Sequence, residues 1–142
     1  MLRLMNENDY DALYALWTST EGMGLRSLDD SYDGIKKFID RNPRTNFVYE
    51  IDKEIVAGVL CGHDGRRAYI YHALVSPACR GLGIGTQMIQ ACEDAMSNEG
   101  INKICLVVYE NNQGGNDFWH HLGYDNRVDL NYRNKSINDK NL

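Results

Sequence analysis

The sequence lacks several features that would place it in common classes of protein. No apolar run approaches the length needed to cross a bilayer, and residues 1–6 lack the apolar region of a signal peptide. There is no CxxC pair and no histidine cluster, which argues against a metal site and, in a cytoplasmic protein, against disulfides. The net charge is −5, and no basic face of the nucleic-acid-binding kind is visible. We therefore expect a cytoplasmic protein with no metal, membrane or nucleic acid.

The chain has the size and composition of one globular domain. Of its 142 residues 43% are hydrophobic and 25% are charged, which is enough apolar material for a buried core. Three of the four cysteines lie in apolar stretches and are interpreted as small core residues: Cys61, Cys92 and Cys105. We expect residues 1–133 to form the domain and the polar residues 134–142 to form a disordered tail.

Apolar spacing and turn residues predict an α+β order of elements. A short edge strand over residues 2–4 comes first, followed by two helices, one capped by Asn6 or Asn8 and one over residues 31–41. An antiparallel meander of three strands then leads to a longer helix, a buried strand, a short helix and a final strand pair. The expected strands are 47–51, 55–62, 68–76 and 103–109, the later helices are 84–98 and 116–122, and the strand pair lies in 124–133.

A glycine-rich loop connects the third meander strand to the long helix, and it reads Arg80-Gly81-Leu82-Gly83-Ile84-Gly85-Thr86. The first turn of a helix has unpaired N–H groups and a partial positive charge, and glycines let phosphate oxygens approach them. Arg80 adds a positive charge, so the loop predicts a pyrophosphate site. It is not a Walker A loop, because no lysine follows Gly85, and a dinucleotide fingerprint would need glycine in place of Thr86.

The segment 73–85 (ALVSPACRGLGIG) resembles the strand–loop–helix motif of the GNAT N-acetyltransferase superfamily. Asn112 and the segment 118–124 (FWHHLGY) are similar to the family's "Asn…LYEKLGF" segment, and the order of elements is similar along nearly the whole chain. The resemblance implies a GNAT fold, in which a mixed, mostly antiparallel sheet is splayed around the cofactor and flanked by about four helices.

The resemblance also implies that the chain uses acetyl-CoA as its cosubstrate. Pantetheine would lie in the splayed cleft and pair with the backbone of one strand, and the glycine loop would hold the pyrophosphate. Asn112 would contact the pantetheine arm or order its own loop. The implied cofactor-binding residues are Ala73, Leu74, Val75, Arg80, Gly81, Leu82, Gly83, Ile84, Gly85, Thr86, Asn112 and Trp119.

Acetyl transfer to an amine needs a neutral amine, a polarised thioester carbonyl and a proton for the departing thiolate. The resemblance implies that the backbone N–H of Leu74 or Val75 polarises the carbonyl. The family's usual acid is a tyrosine where this chain has Trp119, whose indole cannot supply a proton. Many relatives place a basic glutamate where this chain has Tyr71 and His72, so these two residues are the catalytic candidates.

Two functions follow from this interpretation. The first is an N-acetyltransferase that moves the acetyl group of acetyl-CoA directly to a primary amine of a small molecule or peptide. The second, suggested by Trp119, is a non-catalytic acyl-CoA-binding sensor or regulatory module. The final strands of such folds often pair in dimers, so a homodimer is an open expectation. The acceptor site is expected in the loop after the first helix, with Trp17, Glu21, Met23, Leu25 and Arg26 as candidate wall residues.

Overall fold

A computed structural model describes all 142 residues of the chain. The strands are β1 (Leu2–Leu4), β2 (Phe47–Ile51), β3 (Glu54–His63), β4 (Ala68–Val75) and β5 (Ile104–Cys105). The helices are α1 (Tyr10–Thr18), α2 (Tyr32–Arg41), α3 (Ile84–Asn98) and α4 (Gln113–His121), and two 3₁₀ turns occupy Glu7–Asp9 and Pro77–Cys79. No helix has the length and apolar character that a membrane span requires.

The five strands form one open mixed sheet in the order β1-β2-β3-β4-β5. All neighbours are antiparallel except β4 and β5, which run parallel and pair only at Ala68 with Ile104 and Tyr69 with Cys105. The predicted strand 103–109 was therefore wrong in length: past Cys105 the chain leaves β4, and no other strand is there to bond it. This divergence is the splayed cleft that the resemblance implied, so the predicted fold class is confirmed.

Local signals account for most helix boundaries. The helix predicted at 84–98 is confirmed over the same residues as α3. Helix α2 begins at Tyr32, directly after its N-cap Ser31, whose hydroxyl accepts the Gly34 N–H. The first helix is preceded by a 3₁₀ turn that Asn6 caps in a capping box. By contrast, α4 begins at Gln113, three residues before the predicted start at residue 116, because the Asn112 side chain caps it.

Two apolar cores lie on opposite faces of the sheet. One packs α3 against β3 and β4, and the other packs α1 and α2 against β2, β3 and β4. Cys61 and Cys92 are fully buried in the α3 core, as predicted. A hydrogen bond with Cys61, together with burial, raises the pKa of the Cys92 thiol, so this thiol stays protonated. Cys105 is only half-buried, because it lies where β5 ends.

The strand pair predicted over 124–133 is wrong, because this segment contains no strand. Its apolar residues alternate as a strand would, yet Val128, Leu130 and Tyr132 are 88%, 59% and 68% exposed. Alternation favours a strand only where a neighbouring strand and a core receive the apolar side chains. Neither is present here.

The last residues of the chain contact the loop between α1 and α2. The Ser27 N–H donates to the Leu142 carbonyl at 2.7 Å, and the Asn141 side-chain oxygen accepts the N–H groups of Leu28 and Asp29 at 3.0 and 3.1 Å. Residues 134–142 contain no helix or strand. The domain boundary at residue 133 stays a prediction.

Replacement of Gly34 by alanine is expected to destabilise the fold. A Cβ at Gly34 would overlap the backbone carbonyl oxygens of Leu28 and Asp29, and backbone cannot move aside as a flexible side chain can. We expect urea denaturation to show a loss of about 1–3 kcal/mol of unfolding free energy. Gly114→Ala is the matched control, because a Cβ there meets no atom within 4 Å. Equal stability of the two variants would contradict this account of loop packing.

Candidate active site

The centre of the site is a β-bulge in β4. In the β3–β4 register Gly58 pairs with Leu74 and Leu60 pairs with Tyr71, so His72 and Ala73 together oppose one residue of β3. His72 has φ +49°, in the left-handed region that costs a non-glycine residue about 1–2 kcal/mol. Bulges of this kind redirect a side chain, and this one turns His72 towards the α1–α2 loop.

His72 is paired with a carboxylate in that loop. Its Nε2 lies 2.7 Å from Asp30 Oδ1, and the two side chains are only 13% and 8% exposed. A carboxylate can only accept a hydrogen bond, so in the neutral imidazole Nε2 carries the proton and Nδ1 has the lone pair. No other side chain or backbone group of the protein is hydrogen-bonded to this imidazole. The pair therefore presents one unprotonated ring nitrogen.

The Asp30 side of the pair is held in place by the backbone of its own loop and by α1. Asp30 Oδ2 accepts the Arg26 N–H at 2.6 Å, and the Tyr10 hydroxyl donates to the Asp30 carbonyl at 2.7 Å. Sequence reasoning missed Asp30, which lies 42 positions before His72 in a polar loop with no motif. The helix α1 supplies the wall of the site, because the Trp17 ring packs 5.0 Å from the His72 ring.

The other residues expected in the acceptor loop contribute differently. Met23 and Leu25 are partly buried against the α1–α2 core and so stiffen the loop. Glu21 is exposed. Arg26 acts on Asp30 through its backbone N–H. Of the predicted wall residues, Trp17 is the one that contacts His72.

Tyr71 lies on the same face of the sheet as α2. Its ring centroid is 4.6 Å from that of Tyr69 and 5.9 Å from that of Phe38, and the Phe38 ring stands perpendicular to it. Burial raises the pKa of Tyr71, and it raises the pKa of Tyr69 to about 12. At neutral pH both hydroxyls therefore keep their protons.

The glycine loop leaves the N-terminus of α3 open to an anion. Gly81 and Gly83 have φ of +81° and +80°, and Gly83 stands at the cap position, where no side chain accepts the first N–H groups. In α2 and α4, by contrast, Ser31 and Asn112 take up those donors. Free N–H groups beside glycines fit the pyrophosphate of a nucleotide cofactor.

Other residues of the loop shape it by packing. A Cβ on Gly85 would lie 3.2 Å from Phe118 Cζ, so glycine here lets α4 approach α3. Arg80 Nε donates to the Val75 carbonyl at 3.2 Å and ties the loop to the end of β4. Thr86 is exposed and Leu82 is 65% exposed.

The edge of β4 that faces the cleft has no strand partner beyond Tyr69, so those backbone groups of residues 73–75 that point to this edge rather than to β3 are left for a ligand. The Val75 carbonyl is the exception, because Arg80 occupies it. Leu74 is buried against α1 and α2, and Ala73 packs on the α3 side. Ile84 is buried too, so only its backbone is available.

Two candidate residues lie on the α4 side of the cleft. The Asn112 side-chain oxygen accepts the Gly115 N–H at 2.9 Å. This hydrogen bond orders the loop, which is one of the two roles expected for Asn112. Trp119 packs edge-on against Phe118 and Tyr124 at 5.0 and 5.1 Å. Its contact with the cofactor stays a prediction.

Asn116 is a loop-ordering residue that sequence reasoning missed. Its side-chain amide donates to the carbonyls of Tyr109 and Asn112 at 3.0 and 2.8 Å, which joins the end of the splayed segment to α4. An Asn four residues after an N-cap is the one signal that could have found it. No three histidine, cysteine, aspartate or glutamate side chains come together in a group that could hold a metal ion.

Comparisons with known proteins agree with this geometry. Residues 10–124 match the model of the acetyltransferase (GNAT) family. An acetyltransferase of Pectobacterium atrosepticum is 31% identical over 124 residues, which cover 87% of this chain and 86% of the relative. The crystal structure of Ard1 from Thermoplasma volcanium has a TM-score of 0.77 and 16% identity over 87% of this chain and 80% of its own. PaiA N-acetyltransferase from Thermoplasma acidophilum, solved with coenzyme A, has a TM-score of 0.74 and 18% identity over 87% of each chain.

Proposed function

Because the chain belongs to the acetyltransferase (GNAT) family, we propose that it moves the acetyl group of acetyl-CoA directly to a primary amine of a small molecule or peptide. The observation that carries this proposal is the His72–Asp30 pair at the bulge of β4. A base at this position would stand immediately before the strand edge that faces the cleft, which supports the proposal. The coenzyme A bound to the PaiA neighbour supports the choice of cosubstrate.

Acetyl-CoA binding is assigned to backbone groups. The N–H groups at the start of α3, from Gly83 onward, would hold the pyrophosphate, and the free edge of β4 over 73–75 would pair with pantetheine. The thioester supplies an activated acetyl group. Because the uncapped helix terminus and the unpaired strand edge lie at the same end of β4, one extended ligand can reach both.

The chemistry follows from the hydrogen bonds of His72. The neutral amine nitrogen attacks the thioester carbonyl carbon, an amide bond forms, the C–S bond breaks, and the sulfur leaves as a thiolate. His72 Nδ1 takes the proton that the attacking nitrogen loses, and Asp30 stabilises the imidazolium that results. The N–H of Leu74 or Val75 polarises the carbonyl, as the resemblance implies.

Tyr71 is assigned to the thiolate rather than to the amine. Because its pKa is raised, the phenol keeps its proton at neutral pH; it therefore cannot accept a proton from the amine, whereas its hydroxyl has one to donate to the thiolate. Trp119 has no proton to give, and its packing in the α3–α4 aromatic cluster accounts for its presence.

A thiol-release assay with acetyl-CoA and a panel of primary amines tests this function. We expect CoA release that depends on the amine, with an equal amount of acetylated amine detected by mass spectrometry. Asp30→Asn is expected to lower kcat by about 10- to 1,000-fold with an unchanged KM for acetyl-CoA, because an amide no longer fixes the tautomer or stabilises the imidazolium.

The control for Asp30→Asn is Asp29→Asn, which changes the neighbouring carboxylate. Asp29 accepts a hydrogen bond from Asn141 and has none with His72, so wild-type kcat is expected. Equal rates for the two variants would refute the role of Asp30. Tight acetyl-CoA binding without CoA release across the whole panel would indicate the sensor instead of the enzyme.

A further inference from the structure

A groove of about 450 Å³ lies beside α2 at the point where β4 and β5 separate. Its volume is that of a site for a small molecule. Tyr69 and Cys105 line it, and these are the last residues paired between the two strands. Tyr71 lines it as well, and in the sequence it directly precedes His72, the proposed base. Of the residues that line the groove, only Tyr71 has a role in the chemistry proposed above.

Aromatic rings form one wall of this groove. Phe38, Tyr69 and Tyr71 pack against one another in a continuous cluster, with centroid distances of 4.6 and 5.9 Å. Tyr71 is 44% exposed, so part of its ring is open to a ligand. Such a wall favours a substrate with a flat or apolar body, because burial of apolar surface is favourable and aromatic faces stack.

Two guanidinium groups, those of Arg41 and Arg67, also line the groove. Neither forms an ion pair, although Arg3 and Lys36 elsewhere on the chain do. Both arginines therefore have no carboxylate partner within the protein, although they line the same concave site. Arginine side chains in such a position bind carboxylates through paired hydrogen bonds.

The groove has one carboxylate of its own, Asp64, and it is already engaged. Asp64 Oδ1 accepts the backbone N–H groups of Arg66 and Arg67 at 2.8 Å each, and these bonds lower the pKa of Asp64. The imidazole of His63 is likewise paired, with Glu99 at 2.9 Å. Arg41 and Arg67 are therefore the charged side chains of the groove without a charged partner, although Arg67 Nη1 donates to the Arg66 carbonyl at 3.2 Å.

A second cavity, of about 530 Å³, is a weaker candidate for the acceptor. It is lined by residues of α1, α2 and their connecting loop, among them Tyr10, Tyr14 and Asp30, and by no residue of β4 or β5. Leu142 already lies in its lining. Asp30 is the only member of the proposed catalytic set in its lining, which includes neither His72 nor Tyr71.

Resting on the function proposed above, we propose that the groove binds the body of the acceptor, a primary amine that carries a carboxylate beyond an aromatic or apolar segment. The amine end lies towards His72, the apolar segment lies on Tyr69 and Tyr71, and the carboxylate binds Arg41 and Arg67. Recognition of the carboxylate sets the KM of the acceptor and leaves the transfer step unchanged.

Matched acceptors test this specificity. We would compare 4-(aminomethyl)benzoate with 4-methylbenzylamine, which share the amine and the ring but differ in the anionic group. Wild-type protein is expected to prefer the benzoate by about 10- to 100-fold in kcat/KM, the range for hydrogen bonds to a charged group. In the double variant Arg41→Gln, Arg67→Gln the preference is expected to fall to about twofold, because the KM for the benzoate rises. The rate with 4-methylbenzylamine should stay at the wild-type value.

Arg66→Gln is the matched control, because it removes one positive charge next to Arg67 from a residue that does not line the groove. Turnover of both amines without a carboxylate preference, or equal losses in Arg66→Gln and the double variant, would overturn the inference and leave the proposed function standing. Absence of turnover with every amine would overturn the proposed function. In that case calorimetry of 4-(aminomethyl)benzoate with the CoA-loaded protein decides the inference, which requires binding by wild type and about tenfold weaker binding by the double variant.

Discussion

Replacing His72 with alanine is expected to lower kcat/KM for acetyl transfer by about 10²- to 10⁴-fold, the range for loss of a positioned general base. The affinity for acetyl-CoA should stay within about twofold, because cofactor binding is assigned to backbone groups of α3 and β4. Steady-state kinetics with a responsive amine and calorimetry with acetyl-CoA measure the two quantities. His120→Ala is the control, since it removes an exposed imidazole from α4.

His72→Asn separates loss of the base from loss of the fold. Asparagine tolerates the left-handed conformation at φ +49° better than alanine does, so this variant should unfold at nearly the wild-type denaturant concentration. It nevertheless lacks a ring nitrogen with a lone pair. Wild-type activity in His72→Asn would refute the assignment, whereas an equal deficit in both variants supports it.

Replacing Gly83 with valine is expected to weaken acetyl-CoA binding by about tenfold or more. Gly83 has φ +80° and stands at the uncapped N-terminus of α3, where a β-branched residue disfavours this backbone and places methyl groups beside the N–H donors. Calorimetry with acetyl-CoA gives the dissociation constant, and urea denaturation reports how much of the effect is loss of stability.

Gly65→Val is the matched control for backbone strain. Gly65 has φ +91° in the turn between β3 and β4, and a Cβ there meets no atom within 4 Å. Both variants should lose comparable stability, but only Gly83→Val should lose acetyl-CoA affinity. If Gly65→Val weakened binding as much, the glycine loop would not be the phosphate site.

Features set by near neighbours in the chain could be predicted. The α3 boundaries follow from the glycines before it and the spacing of its apolar residues, and α2 follows from the Ser31 cap. The meander strand 47–51 was predicted over the residues that form it, because its turn residues lie directly beside it. The family resemblance predicted the splayed sheet, and the strand order and the structural neighbours confirm this fold class.

Features that depend on residues far apart in the sequence could not be predicted. Asp30 becomes part of the site only because a register shift at His72 turns the imidazole towards a loop 42 residues earlier, and no local pattern encodes a bulge. The groove likewise brings Arg41 and Arg67 together from two separate elements. The strand pair over 124–133 failed for the same reason, since alternation cannot reveal whether a partner strand exists.

Chemical rescue of His72→Ala by imidazole tests most directly whether His72 is the base. Removal of the side chain leaves a space between Trp17 and Asp30 in which a free imidazole can bind with the geometry of the lost ring. We expect acetyl transfer by His72→Ala to rise with imidazole concentration, whereas Gly83→Val should not respond. An unresponsive His72→Ala protein that still binds acetyl-CoA, or an equal response in both variants, would contradict this role of His72.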